Sequence, residues 1–376
     1  MFARKSLRGL ISLVLLQVFF GLQVFGQIPE HELPGFKSAV MKSYEAGDYK
    51  DAVAGFNKLM DQFPKDAMYR YYAGVSMVKM DRDLEKAAEL LYFASSRGVP
   101  VDVYYYLGEA YRRLYDFEKA KKFYIMFDEQ ATRSEARAMN SKLLINSVTS
   151  AMQLTNSYNP FEVLNVTFMN LQDPADYQQI KMKGGMLVSK PLLFYGPKEE
   201  EKDLNSLMFL PRRVDRGDYV YFAALEGNGR KGYQIMRSRK ANAGKWQDPE
   251  PVNAVNTDLD EILPYFDPVG KDLYFASNGH EGIGGFDLYK SHYDEENDEW
   301  TDPMNLGFPI NSVYDDYLLL PGTDLGMVMF FSGRQVTDTS MVVYRVHFSE
   351  PKKSLASSTP EEIRRVASLG GLAEEM

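Results

Sequence analysis

A segment that recurs at a fixed spacing constrains the fold of this sequence more than any other feature. Within 251–290, the apolar runs Leu273-Tyr-Phe-Ala and Gly285-Phe-Asp-Leu-Tyr flank a glycine-rich link. Trp246-Gln-Asp-Pro returns 54 residues later as Trp300-Thr-Asp-Pro. Short aromatic and aliphatic runs favour β-strands, and glycines allow the positive φ angles of a tight connection. A repeat of about 50 residues with several strands in each copy is typical of a β-propeller.

Each copy also carries an asparagine followed by two acidic residues. Asn256 with Asp260-Glu261 corresponds to Asn311 with Asp315-Asp316 at a spacing of 55. Paired carboxylates can serve as general acid and general base. Catalysis normally needs one site, however, whereas hydrogen bonds between neighbouring blades need one set in every blade. The recurrence therefore favours a structural role for both pairs.

These motifs together resemble the TolB-type propeller repeat, a WD40-like repeat that is common in cell-envelope proteins of the Bacteroidota. The resemblance covers residues 160–350, and its poorest part is 160–215. It implies a β-propeller of four to six blades.

The N-terminal part of the sequence has a shorter period, of 34 residues. Phe56, Leu90 and Tyr124 recur at this spacing. Smaller residues recur in the same way at Val40, Gly74 and Gly108. The pattern resembles the tetratricopeptide repeat (TPR), in which small residues allow two helices to cross closely and large ones fill the space beside them. We expect three repeats over 27–130 and one long capping helix from Thr132 to Thr155, within the linker 131–159.

The tetratricopeptide resemblance implies a concave groove that holds a peptide or a partner segment. The residues that it assigns to the groove are Lys37, Met41, Tyr44, Tyr71, Val78, Tyr105, Glu109 and Arg112. The alternative is that the aromatic residues pack within the stack or against the propeller, since the chain holds 25 Tyr and 23 Phe. In the glycine-rich link, the candidate ligand contacts are Asn278, His280 and Glu281, with an exposed turn as the alternative.

The first 26 residues have the three parts of a secretory signal peptide. Three basic residues precede an apolar run over 10–24, and a small-residue cleavage site follows at 24–26. We expect export to the periplasm, peripheral to the outer membrane, with a mature chain that begins at Gln27; an uncleaved anchor is the alternative. The sequence holds no cysteine, so neither a direct lipid anchor nor a disulfide is expected.

The charge and the motif inventory exclude several classes of function. The net charge of −9 becomes −12 once the three basic residues of 1–26 are removed, which disfavours nucleic acid and anionic lipid as partners. The four histidines form no helical metal pair, and no P-loop, dinucleotide fingerprint or nucleophile elbow is present. The acidic run 294–299 lacks the residue order of an EF-hand. We therefore expect no enzyme activity, no cofactor and no bound metal.

The last segment, 351–376, is polar and contains one short helical pattern. Thr359 precedes Pro360 and Glu362, which is the arrangement of an N-cap with a capping box. We expect a helix that docks on a partner or covers a blade; a loosely ordered tail is the alternative.

The predicted fold class is α plus all-β, with an N-terminal TPR α-solenoid followed by a β-propeller. Proteins that combine these arrays resemble Bacteroidota envelope proteins, relatives of which are associated with type IX secretion and gliding. This chain departs from them, since it lacks a lipid-accepting cysteine and an OmpA-like domain. The predicted function is a non-catalytic periplasmic scaffold that binds proteins of an envelope or secretion complex. The alternative is a glycan-binding or glycan-hydrolysing propeller with its site in the central channel.

Overall fold

The computed structural model describes residues 27–170, 174–177, 180, 184–196, 207–225, 232–241, 245–321, 326–334, 341–348 and 351–369. The predicted signal peptide, 1–26, lies outside these residues. The described chain is helical up to residue 154 and mainly β-stranded beyond it, as the sequence predicts. It forms two compact units that divide between Ala110 and Tyr111, within the third predicted repeat rather than at its end.

The first unit is built from paired antiparallel helices. Its helices are α1 (Leu33–Glu45), α2 (Tyr49–Gln62), α3 (Ala67–Lys79), α4 (Leu84–Ala94) and α5 (Val103–Arg113), the last of which crosses the division. Gly47 has a φ of +83° and turns the chain between α1 and α2.

Small residues set the close approach of these helices. A Cβ atom on Gly74 of α3 would lie 2.6 Å from the side chain of Leu91 in α4, so no larger residue fits without a shift. Ala52 and Phe56 of α2 are both fully buried. The positions that recur in the sequence are therefore the positions where the helices pack, which is the physical basis of the 34-residue period.

The second unit begins with α6 (Phe117–Gln130), α7 (Arg133–Ala138) and α8 (Ser141–Leu154). The prediction of one long helix from Thr132 to Thr155 is wrong, because Asn140 takes a left-handed conformation with a φ of 50° and separates α7 from α8. Thr132 begins α7 with a capping box, in which its hydroxyl accepts the N–H of Glu135 at 3.3 Å.

Beyond α8 the chain forms successive antiparallel sheets. The strands are β1 (Ser157–Tyr158), β2 (Phe161–Met169), β3 (Gly185–Ser189), β4 (Leu207–Pro211), β5 (Tyr219–Leu225), β6 (Tyr233–Arg239), β7 (Glu250–Pro251), β8 (Glu261–Asp267), β9 (Asp272–Ser277), β10 (Asp287–Asp294), β11 (Glu299–Trp300), β12 (Met304–Asn305), β13 (Asp316–Pro321), β14 (Met327–Ser332), β15 (Met341–Phe348) and β16 (Lys353–Ser354). We name the sheets A (β3–β4), B (β5–β6–β7), C (β8 to β12) and D (β13–β14–β15–β2). A short helix, α9 (Pro174–Tyr177), lies between β2 and β3.

Sheet D joins the two ends of the β-rich region. β2 comes first along the chain, yet it pairs antiparallel with β15 at the end of the region, with Phe161 opposite Phe348 and Met169 opposite Met341. β1 and β16 pair in the same way, with Ser157 opposite Ser354. Strands that are far apart in sequence therefore complete one sheet.

The cores of sheets B, C and D repeat one arrangement. The residues Phe222 of β5, Phe275 of β9 and Phe330 of β14 each lie near the middle of a strand and are fully buried. Each of these strands pairs antiparallel with the strand that follows it, β6, β10 or β15. Apolar runs such as Leu273-Tyr-Phe-Ala are thus the buried first strands of equivalent antiparallel pairs.

The predicted helix in the tail is present as α10 (Pro360–Ala367). The N–H of Glu362 donates to the Thr359 hydroxyl at 3.3 Å, and the Thr359 N–H donates to the Glu362 carboxylate at 2.7 Å. The capping box therefore forms as the sequence predicts.

Candidate functional site

The first unit contains a cluster of tyrosines around one aspartate. The Tyr71 hydroxyl donates to Oδ1 of Asp102 at 2.7 Å, and the Tyr71 side chain is buried. Burial and this hydrogen bond raise the pKa of Tyr71. Burial and the charge of Asp102 raise the pKa of Tyr106 to about 12. These tyrosines therefore keep their hydroxyl protons and act as neutral donors in the cluster.

Aromatic ring contacts, one stacked and two edge-on, join the same cluster to the helix cores. The ring centroid of Tyr72 lies 4.8 Å from that of Tyr44, 5.4 Å from that of Phe56 and 5.2 Å from that of Tyr71. The Lys37 amino group lies 4.6 Å from the centroid of Phe63. Aromatic pairs at these distances add to the stability of the repeats beyond the area that they bury.

The predicted groove residues differ in accessibility. The half-buried ones are Lys37, Met41, Tyr44, Tyr105 and Arg112, and the buried ones are Tyr71, Val78 and Glu109. Tyr71 and Tyr44 make the packing contacts that the alternative interpretation expects. Partner binding by the half-buried residues stays a prediction.

Arg112, at the end of α5, belongs to the second unit and contacts the β-rich region. Its guanidinium donates to the carbonyl oxygen of Val313 at 2.5 Å. The nearby Tyr115 ring packs edge-on against Phe308 at 6.3 Å between centroids. Within the second unit, the side chain that was assigned to the groove thus reaches the loop before β13.

The three candidate residues of the glycine-rich link make structural contacts. The Asn278 side chain accepts the N–H of Asp260 at 2.9 Å. The His280 ring Nε2 lies 2.9 Å from the carbonyl oxygen of Val255, and the ring faces Tyr289 at 5.1 Å between centroids. Hydrogen bonds therefore hold Asn278 and His280 in place. Ligand binding by these residues stays a prediction.

Glu281 lies in the part of the link that contacts helix α8. Ser150 of α8 donates to a carboxylate oxygen of Glu281 at 3.2 Å, and the buried Ser147 donates to the carbonyl oxygen of Gly282 at 3.1 Å. The link thus fixes the last helix of the helical region onto sheet C.

The acidic pair at the start of β8 is saturated with hydrogen bonds. Asp260 accepts the N–H of Tyr233 at 2.9 Å. Glu261 accepts the N–H and the hydroxyl of Thr257 at 2.8 and 2.7 Å, and the Ser277 hydroxyl at 2.7 Å. Burial raises the pKa of Glu261, although these hydrogen bonds oppose the shift.

The acidic pair at the start of β13 repeats this network. Asp315 accepts the N–H of Phe286 at 2.9 Å. Asp316 accepts the N–H and the hydroxyl of Ser312 at 2.6 and 2.8 Å, and the Ser332 hydroxyl at 2.5 Å. The structural interpretation of the carboxylate pairs predicts the same hydrogen bonds at both positions. The two pairs make such equivalent sets of bonds.

The recurring asparagines connect each sheet to the one before it. The side-chain oxygen of Asn256 accepts the N–H of Ile235 at 2.7 Å, and its nitrogen donates to the Ile235 carbonyl at 3.0 Å. Asn311 makes the same two bonds to Leu288, at 2.8 and 2.9 Å. Each asparagine therefore continues the hydrogen bonding of a strand in the preceding sheet.

The described residues contain neither a cluster of metal ligands nor a membrane-spanning helix. No group of three or more His, Cys, Asp or Glu side chains in that part of the chain could hold a metal ion. No described helix has the length and apolar character needed to cross a membrane.

One buried carboxylate has no counterpart in the sequence-based predictions. Asp287 at the start of β10 accepts the N–H groups of Ile283 and Gly284 at 2.7 and 2.9 Å, and the Asn305 amide at 2.8 Å. Burial raises the pKa of Asp287 to about 7. In the sequence, Asp287 is marked only by its place after the four glycines of the link. This place does not indicate that its side chain is buried.

Comparison with known proteins identifies the helical repeats. The model of the tetratricopeptide repeat matches residues 36–66 and 102–130. The chain therefore contains tetratricopeptide repeats at the first and third predicted positions, and α3 and α4 form the helix pair between them. Repeats of this type present surfaces for contact with other proteins. Comparison with curated proteins gives no match.

Two solved structures resemble a third of the chain. One is PcrH in complex with the chaperone-binding region of PopD, with 20% identity over 33% of this chain and 95% of that one. The other is the Yersinia enterocolitica type III secretion chaperone SycD in complex with a peptide of the translocator YopD, with 14% identity over 32% and 95%. Both have a TM-score of 0.29, which is too low to support a statement about fold or partner.

Proposed function

We propose that this protein is a non-catalytic adaptor that binds other proteins through its tetratricopeptide repeats. The observation that carries the proposal is the match of residues 36–66 and 102–130 to that repeat. The half-buried groove residues Met41, Tyr44 and Tyr105 offer contact area to a partner segment. The buried Tyr71 supports the groove from behind through its bond to Asp102.

The β-rich region is proposed to be a propeller. Two features support this. The final sheet is completed by β2, the first long strand of the region, which is how a ring of sheets would close. Asn256 and Asn311 each bond the preceding sheet at the same repeated position, as blade-to-blade contacts would.

The proposed location is the periplasm, within an envelope or secretion complex of the type IX kind. The support is the signal-peptide pattern of 1–26 and the resemblance of the β-region motifs to TolB-type repeats of the Bacteroidota. Fractionation of cells that express the full chain tests this. The protein is expected in the periplasmic or outer-membrane fraction, and recovery from the cytoplasm alone would contradict the proposed location.

Site-specific photo-crosslinking tests the adaptor function. A benzophenone amino acid replaces Tyr105, a half-buried residue of the predicted groove, in the full-length protein within its native cells. Tyr92, which is 62% exposed and lies on α4 outside the predicted groove, is the matched control. We expect a discrete crosslinked protein from position 105 and none from position 92. Equal labelling from both positions, or none from position 105 while known envelope complexes remain intact, would refute the proposal.

A further inference from the structure

A cavity of about 360 Å³ is lined by residues of sheets A, B and C. Its walls come from strands of sheets B and C, from Phe209 and Pro211 of β4 in sheet A, and from the turns beside these strands. Among the residues that line it are Tyr219, Tyr221, Arg237, Phe266, Lys271 and Tyr293. Ligand pockets span about 300–1,000 Å³, so this cavity suits a small molecule.

Aromatic rings form one side of this cavity. The Tyr221 ring lies 4.9 Å from that of Phe266, and Tyr293 lies 5.1 Å from Trp300, which packs behind the lining. Trp300 also lies 6.0 Å from the Tyr221 ring. Packing of the rings on one another restricts their rotamers, so the cavity presents apolar faces that are already in place.

Each basic side chain that lines the cavity has a carboxylate partner, which for Arg213 is Asp215 at 2.8 Å, and the lining carboxylate of Asp218 accepts the N–H of Asp215 at 2.7 Å. The Nε of Arg237 lies 2.8 Å from a Glu250 carboxylate oxygen, and its guanidinium lies 4.5 Å from the Tyr219 centroid. The Lys271 amino group lies 2.9 Å from the Glu295 carboxylate. An anionic ligand would have to compete with the carboxylates for these basic groups, whereas a neutral ligand can use the donors and acceptors that remain.

We propose that this cavity binds a neutral saccharide. A sugar ring has C–H faces that pack on aromatic rings, and hydroxyls that bond to fixed polar groups around the rim. Arg237 is the principal donor, because the Tyr219 ring, a hydrogen bond with the Tyr221 side chain and the ion pair with Glu250 hold its orientation. Burial raises the pKa of Tyr221 to about 12, so its hydroxyl also keeps its proton and can donate. The proposal is independent of the adaptor function, because every lining residue lies in the β-rich region.

Tryptophan fluorescence gives a direct test. The chain has two tryptophans, and Trp246 packs in a separate cluster with Phe194 at 5.6 Å between centroids. In the full chain with Trp246→Phe, the remaining signal comes from Trp300 beside the cavity. The probes are maltotriose, cellotriose and tri-N-acetylchitotriose, with a proline-rich decapeptide and citrate for comparison. Affinity electrophoresis in soluble polysaccharide gels distinguishes a polymer ligand from a free oligosaccharide.

We expect a saturable fluorescence change with at least one saccharide, and binding weakened roughly tenfold or more by Arg237→Met. Arg345→Met is the matched control, because Arg345 occupies the fifth position of β15 as Arg237 does in β6 and does not line the cavity. Lys271→Met is a second variant at the cavity in case Arg237→Met fails to fold. The proposal is overturned if no saccharide saturates, if the peptide or citrate binds instead, or if the control variant weakens binding equally.

Discussion

Removal of the Asn311 side chain should destabilise the β-rich region by much more than its small volume suggests. This side chain is fully buried. Its oxygen accepts the N–H of Leu288 at 2.8 Å, and its nitrogen donates to the Leu288 carbonyl at 2.9 Å and to Asn305 at 2.8 Å. Asn311→Ala therefore leaves the N–H of Leu288 without its partner in a site closed to water, whereas the Leu288 carbonyl keeps a second bond, from the N–H of Leu306 at 3.0 Å.

The size of the effect follows from the Leu288 N–H. A buried donor that loses its partner costs about 1–3 kcal/mol, and Leu288 is fully buried, so Asn311→Ala should lower the free energy of unfolding by about 2–3 kcal/mol. Asn256 makes the equivalent bonds to Ile235 but is only half-buried. Water can form some of the hydrogen bonds that Asn256→Ala removes. This substitution should therefore lower the free energy of unfolding by about 1–2 kcal/mol.

Urea unfolding followed by tryptophan fluorescence measures these costs. Trp246 and Trp300 both lie in the β-rich region, so the signal reports on the part that the substitutions change. A shift of the midpoint at constant slope gives the change in stability. Asn253→Ala is the matched control, since Asn253 is exposed, and it should change stability by less than about 0.5 kcal/mol.

Two results would refute this reasoning. If Asn311→Ala and Asn253→Ala cost the same small amount, the buried amide does not hold the two sheets together. If Asn256→Ala costs more than Asn311→Ala, burial does not control the penalty.

Three further predictions concern other parts of the chain. Because the folded pKa of Asp287 is raised to about 7, the folded state binds the proton more tightly, and this residue should make stability fall by about 1 kcal/mol for each pH unit between about 4 and 7. Asp287→Asn should remove that dependence in unfolding curves taken across this range, and equal slopes would contradict the assignment. Gly284→Ala would place a Cβ within 2.4 Å of two backbone oxygens and should cost at least about 2 kcal/mol by urea unfolding, whereas Gly35→Ala, with nothing within 4 Å, should cost nothing. Tyr71→Phe removes the 2.7 Å bond to Asp102 and should lower the stability of the helical repeats by about 1–2 kcal/mol, as followed by far-UV circular dichroism; an unchanged midpoint would show that the bond contributes nothing.

Periodic features of this sequence translated directly into structure. The 34-residue spacing of Phe56 and its counterparts reflects helices that pack in the same way in each repeat, and matched repeats confirm it. The recurrence of Asn256 as Asn311 reflects one bonding arrangement made twice. Repetition amplifies a weak local signal, because an accidental residue does not return at the same spacing.

Features that occur once could not be predicted in this way. Asn140 separates α7 from α8 through a left-handed backbone, and the surrounding helical pattern hides this break. Tyr71 and Asp102 lie 31 residues apart, and neither residue alone indicates that they bond. The cavity at Arg237 is lined by residues of three sheets, so no single segment of the sequence indicates it.

The pairing of β2 with β15 has a consequence for the order in which the chain can assemble. The ribosome synthesises Phe161–Met169 long before Met341–Phe348. The edge of β2 that pairs with β15 therefore stays without its hydrogen-bonding partner until β15 has been synthesised. Any fragment that stops short of residue 341 keeps that edge open and should self-associate. Sheet D is therefore completed late in folding, and its completion joins the two ends of the β-rich region in one step.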